Sequence, residues 1–262
     1  MLFKKTLTAT AMTVAMTLCA FNASAASTDT TLLVKGLFTP GACLPSFVGG
    51  NTADFGTNSL ENLAPTSGTN KLVQLGGKSM MLQVECTSPT LVAVFSTDQR
   101  VDTRVGLDST HKIENAYGVN LDQPVGATAN GFGLGKTNAN GVNTGVYSIA
   151  VDNKNVTATG VDGSNNSIDL SIDVISTTDY TTATPVWEKN TGYAVFCGTT
   201  SGCGSYVGYA VSVAEKGKTT PIAVKKLNLG LWVAAAVQDY SVLGTSDKTE
   251  LDGNATISIY YL

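Results

Sequence analysis

Enzyme active sites and metal centres draw on residues that this sequence contains in small numbers. His111 is the only histidine among 262 residues, and charged residues make up 14% of the chain. A triad hydrolase needs a nucleophile, a base and an orienting group, but His111 lies in the polar stretch DSTHKIENAYG with no G-x-S-x-G motif nearby. We therefore predict a surface-loop histidine and a protein that is not an enzyme, with no catalytic residue, cofactor or metal site. Two convergent carboxylates from distant segments, as a glycosidase uses, remain an open alternative.

Positive charge is also scarce, and it forms no cluster. The chain has 16 lysines and arginines against 20 aspartates and glutamates, a formal net charge of −4. An acidic surface without a basic patch argues against nucleic acids and anionic lipid surfaces as partners. Beyond the first 25 residues no segment of the sequence is apolar enough to cross a bilayer, so we expect no membrane insertion of the mature chain.

The first 25 residues have the pattern of a secretory signal peptide. Lys4 and Lys5 precede an apolar run over 9–21, which closes on the small residues Ala23-Ser24-Ala25. Signal peptidases cut after such a small-x-small motif. We predict cleavage between Ala25 and Ala26, followed by a single exported domain over 26–262 that is located in the periplasm.

Four cysteines remain after this cleavage: Cys43, Cys86, Cys197 and Cys203. An even number of cysteines in an exported chain indicates disulfides. Three pairings are possible, and we favour Cys43–Cys86 with Cys197–Cys203 because each pair lies within one local stretch. A zinc site is the alternative, but the sequence has no C-x2-C pair, and its histidine is far from every cysteine.

Strand patterns separated by turns run through the whole chain, and no long amphipathic helix is evident. The predicted strands are 31–38, two runs broken at Gly76-Gly77, 90–97, 145–151, 167–176 with one wet face, 224–238 and the C-terminal run. Residues 118–163, rich in Gly, Asn and Thr, are expected to form long hairpins and loops at one end of the fold. These features predict an all-β protein, an immunoglobulin-like β-sandwich with long hairpin insertions.

The last ten residues, GNATISIYYL, alternate to the end of the sequence. Ile257, Ile259 and Tyr261 share one face, the period of a half-buried strand. We predict that this strand, with Leu262, forms an edge that pairs with a partner.

The stretch around the first cysteine, GLFTPGACLPSFVGGNTADFGTNS, resembles the start of a pilin domain of chaperone–usher fimbriae. The likeness rests on Cys43, Pro45, the run Asp54-Phe55-Gly56, Cys86 in LQVEC, and the alternating C-terminus. Within that broad group the sequence is most similar to the GltF-like periplasmic proteins. The stretches NKLVQLGGKSMMLQVECTSPTLVAVFS and KTELDGNATISIYYL carry this closer likeness.

The pilin resemblance implies a sandwich that lacks its last strand, so that a hydrophobic groove stays open. A periplasmic chaperone would fill the groove and anchor the carboxylate of Leu262, and a fimbrial subunit would later replace the chaperone by strand addition. Only ASTDT precedes the stretch TLLVKGLF after cleavage, which is too short for a donor extension. We therefore expect this protein to accept a strand from a partner and not to donate one.

Two functions follow as predictions. The first is an exported, non-enzymatic, fimbrial-like protein, periplasmic or at the cell surface, that acts by strand-mediated assembly or as a periplasmic accessory. The alternative, implied by the GltF likeness, is a soluble periplasmic protein linked to nitrogen or glutamate regulation, with a self-completed sandwich.

Overall fold

The computed structural model describes residues 42–57, 59, 65, 68–117, 124–138, 140–180, 182–190, 194–198, 210–244 and 248–262. The predicted signal peptide, its cleavage site at Ala25 and Ala26, and the predicted strand over 31–38 lie outside these residues, as does Cys203. The single domain over 26–262 therefore stays a prediction.

The described residues form twelve strands and one short α-helix. In chain order they are β1 (Cys43–Val48), β2 (Val73–Thr90), β3 (Val92–Asp98), β4 (Phe132–Gly133), β5 (Gly145–Val161), β6 (Ser167–Asp169), β7 (Ile172–Thr177), β8 (Glu188–Lys189), β9 (Ala194–Val195), β10 (Ala210–Glu215), β11 (Val224–Val237), α1 (Tyr240–Leu243) and β12 (Ala255–Tyr261). Short 3-10 helices cover Val101–Thr103 and Thr128–Asn130. The predicted all-β class is confirmed.

The strands form two antiparallel sheets. The larger sheet has the order β1-β2-β11-β5-β4, with β6 and β9 also paired to β5, and the smaller has the order β12-β3-β10-β7-β8. One apolar cluster joins the sheets, with Leu82 and Leu229 from the larger sheet and Val94 and Val213 from the smaller among its buried members. Sheets that pack in this way bury alternate side chains of each strand between them.

Strand β11 lies inside the larger sheet, between β2 and β5. The predicted alternation over 224–238 is confirmed, since Leu227, Leu229 and Leu231 are buried in the shared core. The opposite face is covered as well: Ala234 and Ala236 belong to a second apolar cluster. A strand with both faces covered is typically apolar throughout, which explains the run VAAAV.

Two sequence predictions about strands are wrong in detail. The expected break at Gly76-Gly77 is a bulge inside one long strand, because β2 skips a residue against β11 where Gly76 has a φ of +77°. The run 167–176 is two strands, since the chain leaves β5 after Asp169 and joins β10 from Ile172 onward. Its predicted wet face fails in the second half, where the neighbours Val174 and Ile175 are both buried.

The long insertion does not lie only at one end of the fold, as its turn signals suggested. Residues 145–161 are the central strand β5, so the predicted strand 145–151 is ten residues longer than expected. Val105, Leu107, Ile113 and Val125, from the segment before β5, pack with Ala234 and Ala236 in the second cluster. Val125 of the insertion, together with residues 105–113 before it, thus helps to cover the outer face of the larger sheet.

Candidate functional site: an open strand edge and the groove beside it

Strand β12 pairs with β3 on one side, and its other side faces no strand among the described residues. Leu262 donates its N–H to Leu91 O at 3.2 Å, and Gln99 donates to Asn254 O at 2.9 Å. In an antiparallel ladder, hydrogen-bonded pairs recur at every second residue. The even-numbered residues of β12 therefore bond β3, and the backbone N–H and C=O groups of Ala255, Ile257, Ile259 and Tyr261 point away from it. We call these outward groups the open edge.

The open edge has none of the features that usually protect a strand edge. Proteins discourage unwanted strand pairing with proline, inward charges or bulges, but β12 reads ATISIYY and keeps a continuous register with β3. Its inward side chains Ile257 and Ile259 are only partly buried against the core. Ile257, Ile259 and Tyr261 lie in β12, and Leu262 directly follows it. That these residues form an edge for a partner strand stays a prediction.

Strand β1 is the corresponding edge of the larger sheet, and it is protected. Ala42 O accepts from Thr87 N at 2.9 Å, so the backbone groups of Cys43, Pro45 and Phe47 point outward from β2 by the same alternation. Pro45 has no N–H to offer there, the usual position of proline in a sheet. The N–H of Cys43 donates to the hydroxyl of Tyr261 at 2.9 Å. The two edges thus meet at this hydrogen bond.

A groove of 730 Å³ is lined by residues of both β1 and β12. Phe47, Leu231 and Ile257 come from the first, the central and the last strand and line the same space. The 51–57 segment after β1 forms one wall, and the 248–251 segment before β12 forms the other. A mostly apolar concave site of this size is typical of binding sites.

The electrostatics of the groove favour apolar occupants. Tyr147 lines it, and burial raises the pKa of its hydroxyl well above the usual range, with the charge of nearby Asp98 adding to the shift. Three charged residues also line the groove, Asp54, Lys248 and Glu250, and all three are exposed to solvent. Lys248 bonds Glu250 at 2.7 Å. On the wall opposite, Lys78 Nζ lies 5.9 Å from the centre of the Phe55 ring.

The predicted disulfide between Cys43 and Cys86 is confirmed, and it links the first residue of β1 to its partner in β2. Cys197 is also disulfide-bonded. Its predicted partner, Cys203, lies outside the described residues, so that pairing stays a prediction.

His111, Asp108 and Asp173 do not line the groove. His111 is half-buried in the bend after Asp108, and its Nδ1 is 3.1 Å from Oδ1 of Asp108. Hydrogen bonds from the backbone and hydroxyl of Thr110, and from His111, lower the pKa of Asp108 well below its usual range. Asp173, which the sequence placed on a wet face, bonds Lys189 at 2.7 Å. The absence of enzymatic activity stays a prediction.

Within the part of the chain that the structure describes, no group of three or more His, Cys, Asp or Glu side chains could hold a metal ion. No helix of the described residues is long and apolar enough to cross a membrane.

Sequence reasoning missed most of the groove. Leu231 and Tyr147 were read as strand residues only, because nothing local distinguishes a groove floor from a closed core. Pro45 did carry a usable signal, since a proline inside a strand indicates an edge.

Comparisons with known proteins place the chain in a family. A family model described as a protein of unknown function (DUF1120) matches residues 32–148. Protein GltF of Escherichia coli K12 is 42% identical over 263 residues, covering 100% of both chains. The uncharacterised protein YhcF of the same strain is 30% identical over 231 residues, which is 87% of this chain and 89% of the relative. No solved structure matches this chain. The chain therefore belongs to the GltF family.

Proposed function

We propose that this GltF-family protein is an exported, non-enzymatic binding protein whose open edge accepts an extended apolar strand from a partner. The observation that carries the proposal is the outer edge of β12, which pairs with no strand among the described residues, beside a mostly apolar groove. Strand addition joins backbone hydrogen bonding along an edge with side-chain insertion at alternate positions, and this site offers both. The confirmed disulfide agrees with an oxidising compartment such as the periplasm.

The backbone ladder alone is too weak to hold a partner. The open edge offers one N–H and one C=O from each of its four residues, Ala255, Ile257, Ile259 and Tyr261, and such bonds contribute about 1 kcal/mol each in water. Association costs roughly 4–15 kcal/mol in lost freedom of motion. Two or three inserted side chains, at about 1.5–3 kcal/mol each, would supply the difference. The proposal therefore requires apolar residues at every second position of the bound strand.

A periplasmic chaperone or a fimbrial subunit, the partners that the pilin resemblance implies, would present such a strand. The immunoglobulin-like topology of the pilin type belongs to this proposal too. The alternative implied by the GltF likeness is a sandwich completed by its own chain. Such a protein would not bind an added strand, because its edge would already be occupied. A link to nitrogen or glutamate regulation stays a prediction.

The test uses a blocked, dye-labelled peptide of about ten residues in which valine and threonine alternate, with a lysine at each end for solubility. We expect saturable binding by fluorescence anisotropy, lost for a scrambled peptide of the same composition and for a peptide N-methylated at every second residue. Equal binding of the scrambled peptide would refute strand addition.

Two variants locate the binding. Ile257→Lys places a charge at the groove and should weaken binding at least tenfold, about 1.4 kcal/mol. Ile168→Lys is the matched control, because Ile168 is 41% exposed on β6 and does not line the groove. Thermal unfolding of both variants separates a lost site from a lost fold. Equal binding by the two variants would place the peptide elsewhere.

A further inference from the structure

A second concave surface lies on the smaller sheet, at the C-terminal end of β12. It has a volume of 690 Å³ and runs between the segment after β7 and the last residues of the sequence. Four aromatic residues and two prolines line it: Tyr180, Pro185, Trp187, Pro221, Tyr260 and Tyr261. We call these six residues the aromatic trough.

Ring contacts hold one wall of the trough in place. Tyr180 stacks on Phe95 of β3 with centroids 4.8 Å apart, and Tyr260 meets Tyr180 edge-on at 5.0 Å. Phe95 and Tyr260 stand on the outer face of the sheet, since Phe95 lies opposite Ser258. Aromatic pairs of this geometry add about 0.5–1.5 kcal/mol beyond their buried area. The wall is therefore ordered before any ligand arrives.

Several large apolar side chains at the trough are exposed to solvent. Tyr260 and Tyr261 are 37% and 44% exposed, and Val186 on the rim is 75% exposed. Contiguous exposed apolar surface with an ordered aromatic lining marks an interaction site more often than chance exposure does.

The chemistry of the lining selects among ligands. None of the thirteen lining residues carries a charged side chain, and none has a carboxylate or amide side chain. The polar groups of the lining side chains are hydroxyls and the indole N–H, which donate hydrogen bonds. An anionic ligand would lose solvation here without a positive counter-charge, and the carboxylate of Leu262 among the lining residues would repel it. A sugar would leave many of its hydroxyls without hydrogen-bond partners, because the lining has no carboxylate or amide side chain. A proline-rich segment fits both constraints, because it is neutral, lacks backbone N–H groups and presents carbonyl acceptors.

We propose that the aromatic trough binds a proline-rich peptide segment in the polyproline II conformation. Grooves lined by Tyr and Trp bind such segments because the preformed helix loses little entropy on binding. Of the six trough residues, Tyr261 also belongs to the open edge, and the other five do not. This proposal therefore does not depend on strand addition.

The probe is a blocked octaproline peptide, titrated against the full chain with tryptophan fluorescence as the readout and anisotropy of a dye-labelled copy as a check. We expect saturable binding of octaproline, and no binding of a Gly-Ser peptide of equal length. Trp187→Ala should weaken octaproline binding by about tenfold or more, as loss of a central aromatic contact does. Trp187→Phe keeps the ring and should lose less.

Tyr240→Ala is the matched control, because Tyr240 is 43% exposed on α1 and does not line the trough. It should bind octaproline as the unmodified chain does. A chitohexaose titration tests the sugar alternative in parallel. Octaproline binding no tighter than that of the Gly-Ser peptide, binding unchanged in a folded Trp187→Ala variant, or saturable chitohexaose binding without octaproline binding would each overturn the proposal. Thermal midpoints show whether each variant is folded.

Discussion

Asp98 is a buried carboxylate at the end of β3 that ties this strand to the chain before β5. Its Oδ1 accepts from Arg100 N at 2.8 Å, and its Oδ2 accepts from Gly133 N at 3.0 Å. Arg104 Nε lies 4.0 Å from Oδ2. In Asp98→Ala, two backbone donors lose their acceptor and Arg104 loses its counter-charge. An unsatisfied buried donor costs about 1–3 kcal/mol, so we expect a loss of roughly 2–5 kcal/mol in the free energy of unfolding.

Urea unfolding at neutral pH measures this loss, and thermal unfolding should show a midpoint lower by about 10 °C. Asp102→Ala is the matched control: Asp102 is exposed in the 3-10 helix nearby, and its removal should change stability by less than about 0.5 kcal/mol. An Asp98→Ala variant as stable as this control would refute the view that Asp98 organises this end of the sheet.

The pH dependence gives a second check on Asp98. Burial raises the pKa of Asp98 above its ordinary value of 3.8, against the opposing effect of its hydrogen bonds and Arg104. A carboxyl that holds its proton more tightly in the folded state adds stability below pH 3.8, and this addition is lost as pH rises through the folded pKa. The stability gap between the unmodified chain and Asp98→Ala should therefore widen as pH falls from neutral toward 4. A gap that narrows over this range would contradict the raised pKa.

Two further predictions concern the larger sheet. Replacing Cys43 and Cys86 by serine opens a loop with a sequence separation of 43. The free energy of unfolding should fall by about 4 kcal/mol in the chain-entropy model. Urea unfolding with and without reductant measures this change, and a fall of less than about 1 kcal/mol would contradict the prediction. Gly77→Ala places a methyl group against the indole ring of Trp232 and should cost about 1–3 kcal/mol, whereas Gly163→Ala, with open space around it, should be nearly neutral by thermal unfolding.

How far the sequence predicts this fold depends on how local each signal is. Strand β11 was predictable because Leu227, Leu229 and Leu231 alternate within a few residues. The bulge at Gly76 was not, because it depends on register against a strand more than 150 residues away. The sequence also could not predict that the chain crosses from the larger to the smaller sheet after Asp169, because a strand shows the same alternation of apolar and polar residues in either sheet.

The same distinction between local and long-range signals applies to the candidate site. The position of Ile257 and Ile259 in a half-buried strand could be predicted from their spacing. That their backbone groups point away from β3 depends on the ladder register, which begins at Leu262 and Leu91. The groove and the aromatic trough are each formed by residues from distant segments of the chain, so no local sequence pattern could predict them.

Hydrogen exchange of the β12 amides, read residue by residue with and without the alternating Val-Thr peptide, tests strand acceptance most directly. The N–H groups of Ser258 and Tyr260 bond β3 and should be protected in both states. Those of Ile257, Ile259 and Tyr261 should exchange quickly in the free protein and become protected when the peptide is bound. Slow exchange of these three amides without peptide would show that the edge is already covered, and fast exchange with saturating peptide would show that the edge accepts no strand; either result contradicts the account.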